Sequence, residues 1–276
     1  MTGTSAQKRK LRILAIGAHP DDCEIESGGT AALWSGAGHT VHFVSATNGA
    51  TGHQVEAGAA LVRRRAAEAI AAARVLGVTS QILDIPNGEL EPSLVYRRVF
   101  IKLIREFAPD LVLTHRPCDY HPDHRYTAQL VQDASYLIGV PNNVPTVPPL
   151  RKIPVIAYFS DRFRNPVPFR PDVVVVTDRV FDRKVRALDC HRSQFYEWLP
   201  WNEGLERTVP RDARGRLRWL AEKNRKRFSA EAYRSQLREV FGAKAAQAAK
   251  TVEAFEICEY GAKATMEELR KLFPFR

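Results

Sequence analysis

Over the first 160 residues, short β-rich runs alternate with helix-length stretches, and no other feature restricts the possible folds so tightly. The runs LRILAIG (11–17), HTVHFVSAT (39–47), QILDIP (81–86) and DLVLTHR (110–116) carry the aliphatic and β-branched residues of strands. Each ends at polar, Gly or Pro signals. Between them, GGTAALWSGAG from Gly28 and the stretches 55–77, 92–108 and 122–139 read as helices. In 55–77, Leu61, Ala69, Ala72, Val75 and Leu76 recur at helical spacing, and Gly77 closes the helix as a C-cap. Strands separated by crossover helices pair in parallel, which gives an α/β, doubly wound, mostly parallel sheet of Rossmann-like form. VIAYFS and DVVVVTD read as further strands, and from Phe181 the chain turns helical. The organisation expected is an α/β domain over 1–200 with a basic helical C-terminal extension, 201–276, packed on or continuous with it. The proline-rich stretch 139–154 is expected to be a loop bordering the site.

Doubly wound sheets bind ligands at the carboxyl ends of their strands, and the chemistry-bearing residues fall there. The first such loop reads GAHPDDCEIESGGT (17–30). A dinucleotide fingerprint would need glycines where this chain has His19 and Asp22, so that use of the loop is excluded. Two adjacent carboxylates repel, and burial worsens this unless a cation lies between them. His19 and Asp22, three apart in a tight turn, can converge on one metal ion, leaving Asp21 as a base toward water. A helix N-cap would explain the carboxylates but not the histidine. A third ligand is expected from THRPCDYHPDHRYTAQ, which holds His115, Asp119, His121, Asp123 and His124. One histidine there completes the site and another donates a proton or stabilises an oxyanion, with a carboxylate fixing its tautomer. Spacing alone leaves open which histidine does which.

Composition narrows the setting. No apolar stretch approaches the ~18 residues of a membrane span. The basic N-terminal lead precedes only a short apolar run and no cleavage site, so a flexible lead and a cytoplasmic location are expected. Cys23, Cys118, Cys190 and Cys258 are scattered without a CxxC pair, which points to reduced thiols and excludes a disulfide framework or a zinc knuckle. The net charge of +10 is concentrated late: residues 201–276 hold 17 Lys/Arg against 11 Asp/Glu, and 211–227 hold eight of the basic groups. A solvated helix face or a homo-oligomer contact is the first reading of that charge. Nucleic acid is not expected as a partner, because no binding-module signature accompanies it.

AHPDDCEIESGGT and HPDHR together resemble the signatures of the LmbE-like/PIG-L family of zinc-dependent N-deacetylases, with ATNG (46–49), RRRAAEAIAAARVLG (63–77), IPNGEL (85–90) and 169–194 in matching order. The resemblance covers roughly residues 11–195. It implies that His19, Asp22 and His124 bind zinc, with Fe2+ or another divalent metal as alternatives, and that Asp21 is the general base. It implies His121 as the oxyanion-stabilising or proton-donating histidine with Asp123 as its orienting carboxylate, and Arg65, Arg64 and Asn48 as substrate contacts. Asn87 stands where the family often has Asp, and Asp119 where some relatives have a Tyr acid, with Tyr120 displaced by one. The implied activity is removal of acetyl from an N-acetylated amino sugar of N-acetylglucosamine type, a small-molecule substrate. The alternatives are a zinc amidase acting on a thiol or other amide conjugate, and a nucleic-acid- or partner-binding protein that uses the basic C-terminal region.

Overall fold

The computed structural model describes residues 9–275, and the expected N-terminal lead lies, up to residue 8, outside the described residues. The elements are β1 (Arg12–Gly17), α1 (Asp22–Gly36), β2 (Thr40–Ser45), α2 (Gly58–Leu76), β3 (Thr79–Ile82), α3 (Leu94–Phe107), β4 (Leu111–Thr114), α4 (Pro122–Leu137), β5 (Val155–Phe159), β6 (Val173–Val176), α5 (Phe181–Cys190), α6 (Leu199–Asn202), α7 (Ala213–Arg227), α8 (Arg234–Phe241), α9 (Ala243–Ala248), β7 (Val252–Cys258) and α10 (Met266–Leu272). One sheet runs β3-β2-β1-β4-β5-β7-β6. Its first five strands are parallel, with Ile16 opposite both Val44 and Thr114, and β7 runs antiparallel between β5 and β6.

A strand covered on both faces must be apolar throughout, and Ile13, Leu14, Ala15 and Ile16 of β1 are all fully buried. Ile13 and Ala15 pack with Trp34, Leu76, Ala187 and Phe273, which places α1, α2, α5 and the C-terminal residues on one face. Leu14 and Ile16 pack with Phe100, Ile104, Leu130 and Ala134, which places α3 and α4 on the other. The strand order reverses between β1 and β4, the switch point at which such sheets bind ligands. No helix among the described residues is long and apolar enough to cross a membrane.

Three expectations are corrected. α1 starts at Asp22, six residues before Gly28. Gly29 inside it serves close packing: a Cβ there would stand 2.8 Å from the Thr177 Cγ2 atom. The stretch 139–154 does not border the cleft, because it leads into the start of β5, at the opposite end of the strands. There the Arg105 guanidinium donates to the carbonyls of Leu137, Ile138, Val140, Asn143, Val144 and Val147. The region 201–276 is not helical throughout. Its run VEAFEIC forms β7, with Val252, Ala254 and Phe255 buried, and Glu253 reaches α1 by accepting from the Gly29 and Thr30 amides at 2.8 and 2.6 Å.

Candidate active site

Loops from the carboxyl ends of all five parallel strands meet in one cavity of ≈ 1180 Å³, bringing together His19 and Asp21, Thr51 and Gly52, Asn87 and Gly88, His115 to His124, and Ser160 to Phe163. Two helices begin at its floor. Asp21 precedes α1, and His121 is the N-cap of α4, its Nδ1 accepting the Asp123 amide at 3.1 Å. With Nδ1 occupied as an acceptor, the proton of a neutral His121 sits on Nε2, where the half-buried ring can donate.

Three donor atoms form a small triangle: His19 Nδ1 to Asp22 Oδ2 3.5 Å, His124 Nε2 to Asp22 Oδ2 3.5 Å, and His124 Nε2 to His19 Nδ1 3.2 Å. Ligands ~2.0–2.1 Å from a tetrahedral zinc lie ~3.3–3.4 Å apart, so this donor set fits such an ion. The second nitrogen of each histidine is held by a carboxylate, His19 Nε2 by Asp123 Oδ2 and His124 Nδ1 by Asp119 Oδ2, both at 3.1 Å. This arrangement fixes the tautomer that offers the inner nitrogen to a metal. His115, stacked on His124 at 4.0 Å, has its Nε2 3.1 Å from Asp22 Oδ2, and a proton on that nitrogen donates to the carboxylate and steadies its charge.

The electrostatics agree. Burial alone would lower His19, but Asp123 and Asp22 outweigh it and raise its pKa to about 9. Burial likewise opposes the rise at His124 produced by Asp22 and Asp119. Asp22 is held well below the carboxylate range, against its burial, by His124 and His115. His121 has the opposite environment: burial and the neighbouring His19 and His124 push it down to about 4. Asp21 is pushed up to about 6 by burial, moderated by the Arg65 guanidinium 3.5 Å away. Its backbone is strained, with φ 145 and ψ -23, a conformation non-glycine residues adopt only where surroundings impose it. Arg65 is 2 % exposed, donates to the Pro20 carbonyl at 2.8 Å and lines the cavity.

Some expected site residues stand elsewhere. Arg64 is outside the cavity lining, paired with Glu197 and Glu56 at 2.5 and 2.7 Å. Asn48 is also outside it and shapes its own loop, donating to Asp84 at 3.0 Å and accepting the Ala50 amide at 3.0 Å. The Asp123 carboxylate faces His19 rather than His121, from which it is 3.9 Å away. Asp119 lines the cavity, where it accepts the His121 amide at 2.9 Å and holds His124 Nδ1 at 3.1 Å. Sequence reasoning missed the wall opposite the strands, where Trp219, Lys223, Lys226 and Arg227 of α7 line the cavity with Trp198 and Glu203. The signal was present in the basic run 211–227, but nothing local tied it to a site 200 residues earlier.

A doubly wound sheet with two imidazoles and a carboxylate converging at its switch point, and a second carboxylate beside them, defines a site that could hold a metal ion. The family model for PIG-L, GlcNAc-PI de-N-acetylase, matches residues 14–135. The chain is 31% identical over 210 residues to the diacetylchitobiose deacetylase of Thermococcus kodakarensis, covering 72% of this chain and 76% of that protein. Among solved structures, the N,N'-diacetylchitobiose deacetylase of Pyrococcus horikoshii superposes with a TM-score of 0.68 at 26% identity, over 90% of this chain and 84% of that one. The 4-carboxy-2-hydroxymuconate hydratase of Pseudomonas putida shares the fold, with a TM-score of 0.72 at 21% identity over 92% of this chain and 97% of that one. The chain belongs to the PIG-L (LmbE-like) family of N-deacetylases.

Proposed function

We propose that this chain hydrolyses the acetamide of an N-acetylglucosamine-type sugar or conjugate, with a divalent metal, zinc by preference, held by His19, Asp22 and His124. The observation that carries this is the triangle of donor atoms with the buried Asp21 carboxylate beside it. Two imidazoles and one carboxylate suit zinc and leave a fourth position for substrate or water. When bound, such an ion supplies a Lewis acid that polarises the amide carbonyl and brings the pKa of water down to ~7.

The chain's own residues supply the rest. Asp21, anchored by Arg65, takes the proton of the attacking water and returns it to the departing amine. The Nε2–H of His121 donates to the carbonyl oxygen as negative charge gathers on it. Asp123 and Asp119 keep His19 and His124 in the required tautomers. Arg65, on the cavity wall, is the substrate contact we retain of the three expected. A reducing cytoplasm suits the four free cysteines.

The test is acetate release from N-acetylglucosamine, diacetylchitobiose and N-acetylglucosaminide conjugates, for the wild type and for Asp21→Asn. We expect turnover of at least one sugar and a loss of ~10² or more in kcat for the variant. Release of acetate from none of them, or an undiminished Asp21→Asn enzyme, would overturn the reading. The shared fold of a hydratase makes acetate, rather than general consumption of substrate, the product to measure.

A further inference from the structure

Six Lys and Arg side chains line the cavity, and four of them are neutralised. Arg65 faces Asp21 at 3.5 Å, Arg116 faces Asp161 at 3.0 Å, Lys223 faces Glu203 at 3.1 Å and Arg227 faces Glu26 at 2.5 Å. Arg162 and Lys226 have no carboxylate partner among the described residues. They stand together: Arg162 Nη2 donates to the Arg227 carbonyl at 3.4 Å, beside the last turn of α7, where Lys226 lies. A basic last turn complements the helix dipole, which accounts for Lys226 being on α7. It does not account for Arg162, which arrives from the loop after β5 at the same corner. Trp219, Lys223 and Lys226 follow one stripe of α7 toward the cavity, with the Lys223 ammonium 4.5 Å over the Trp219 ring, so an aromatic side chain lines the same wall as the two free cations.

We propose that this corner is an outer subsite for an anionic group, a carboxylate or a phosphate, carried by the part of the substrate beyond its N-acetyl sugar. The proposal rests on the deacetylase reading above and names the substrate class for it. Unpaired cations in a concave wall concentrate positive potential there. The Trp219 ring gives the linking sugar or aglycone an apolar surface. A neutral glycoside would leave both cations without a partner.

Three matched probes decide it: the methyl glycoside of N-acetylglucosamine, its carboxymethyl glycoside and its 1-phosphate. In the wild type, kcat/KM for at least one charged probe should exceed that for the methyl glycoside by ~10-fold. In the double variant Arg162→Gln/Lys226→Gln that ratio should fall close to one. The carboxymethyl and phosphate arms identify which anion the corner takes. Equal wild-type values for all three probes, or a ratio that survives the double substitution, would overturn the proposal. Calorimetry with glucosamine 1-phosphate and with the carboxymethyl and methyl glucosaminides provides a readout without turnover. At least one charged ligand should bind ~10-fold more tightly than the methyl one to the wild type and not to the variant. Equal affinities contradict the proposal. Should no glycoside release acetate, the deacetylase reading falls, and calorimetry alone decides whether the anion subsite exists.

Discussion

Asp21 carries two costs at once, since its carboxylate is buried and its backbone is held at φ 145. Strain of this kind costs of order ~1–3 kcal/mol and persists where function over-determines geometry. Asp21→Gly should therefore raise stability to urea by ~1 kcal/mol while abolishing acetate release, because only the carboxylate moves protons. Equilibrium unfolding beside an activity assay checks both halves. At His121, loss of a single oxyanion donor should cost ~10²–10³ in kcat, with metal content unchanged in His121→Gln. In Asp119→Asn and Asp123→Asn the metal affinity itself should fall ~10–100-fold, measured by competition with a chelator. That division separates the residue that acts on substrate from those that hold its neighbours. The meeting of these residues was legible beforehand, His19 with Asp22 from their spacing in a turn and the HPDH run from its place after a strand, whereas the roles of His121 and His124 came from the family resemblance and not from spacing. The partner of Asp123 was not, because its carboxylate crosses to a ring 104 residues away, and local spacing favours the nearer His121.

The elements explain why the loops can be so polar. β1 and β4 are buried strands that fix the carboxyl-end loops from beneath, and α1 and α4 begin where those loops end. The loop after β2 supports Arg65 by leaving it room: Gly49 has φ 74, and a Cβ there would stand 2.6 Å from the Arg65 Nη1 atom. Gly49→Ala should therefore displace Arg65 and lower kcat by roughly 10-fold, since small misplacement of a positioning group is costly. A kinetic comparison with Arg65→Ala should show the two losses failing to add. Strand–helix alternation announced β1 to β6 and α1 to α5 from patterning alone, with boundaries shifted by a few residues. β7 escaped notice because its sequence, VEAFEIC, lies in a helical, charged region and joins the sheet antiparallel between two distant strands.

At the scale of the whole molecule, the C-terminal region is tied into the core by a buried ion pair. Lys184 Nζ lies 2.7 Å from Glu253 Oε1, both side chains 1% exposed or less, and burial pulls the lysine pKa down against the pull of Glu253. Removing one member strands the other in a dry interior, so Glu253→Ala should destabilise by ~3–5 kcal/mol. The double variant Lys184→Met/Glu253→Gln should recover part of that loss, as read by thermal unfolding. α7 is held along the cavity by apolar packing, Leu220 and the following Phe228 against Ile25, Val185 and Leu188. The basic run is therefore partly a wall of the site, while Arg216 packs over the Tyr196 ring and Arg211, Arg214, Arg218 and Arg225 are exposed. In the proposed mechanism His19, Asp22 and His124 hold one catalytic metal beside Asp21. The most direct measurement is acetate release during titration of the metal-stripped enzyme with zinc, in parallel for the wild type and His124→Ala. Activity should rise linearly to one equivalent in the wild type and stay near zero in the variant. Full activity in the stripped enzyme, or equal reactivation of His124→Ala, would contradict it.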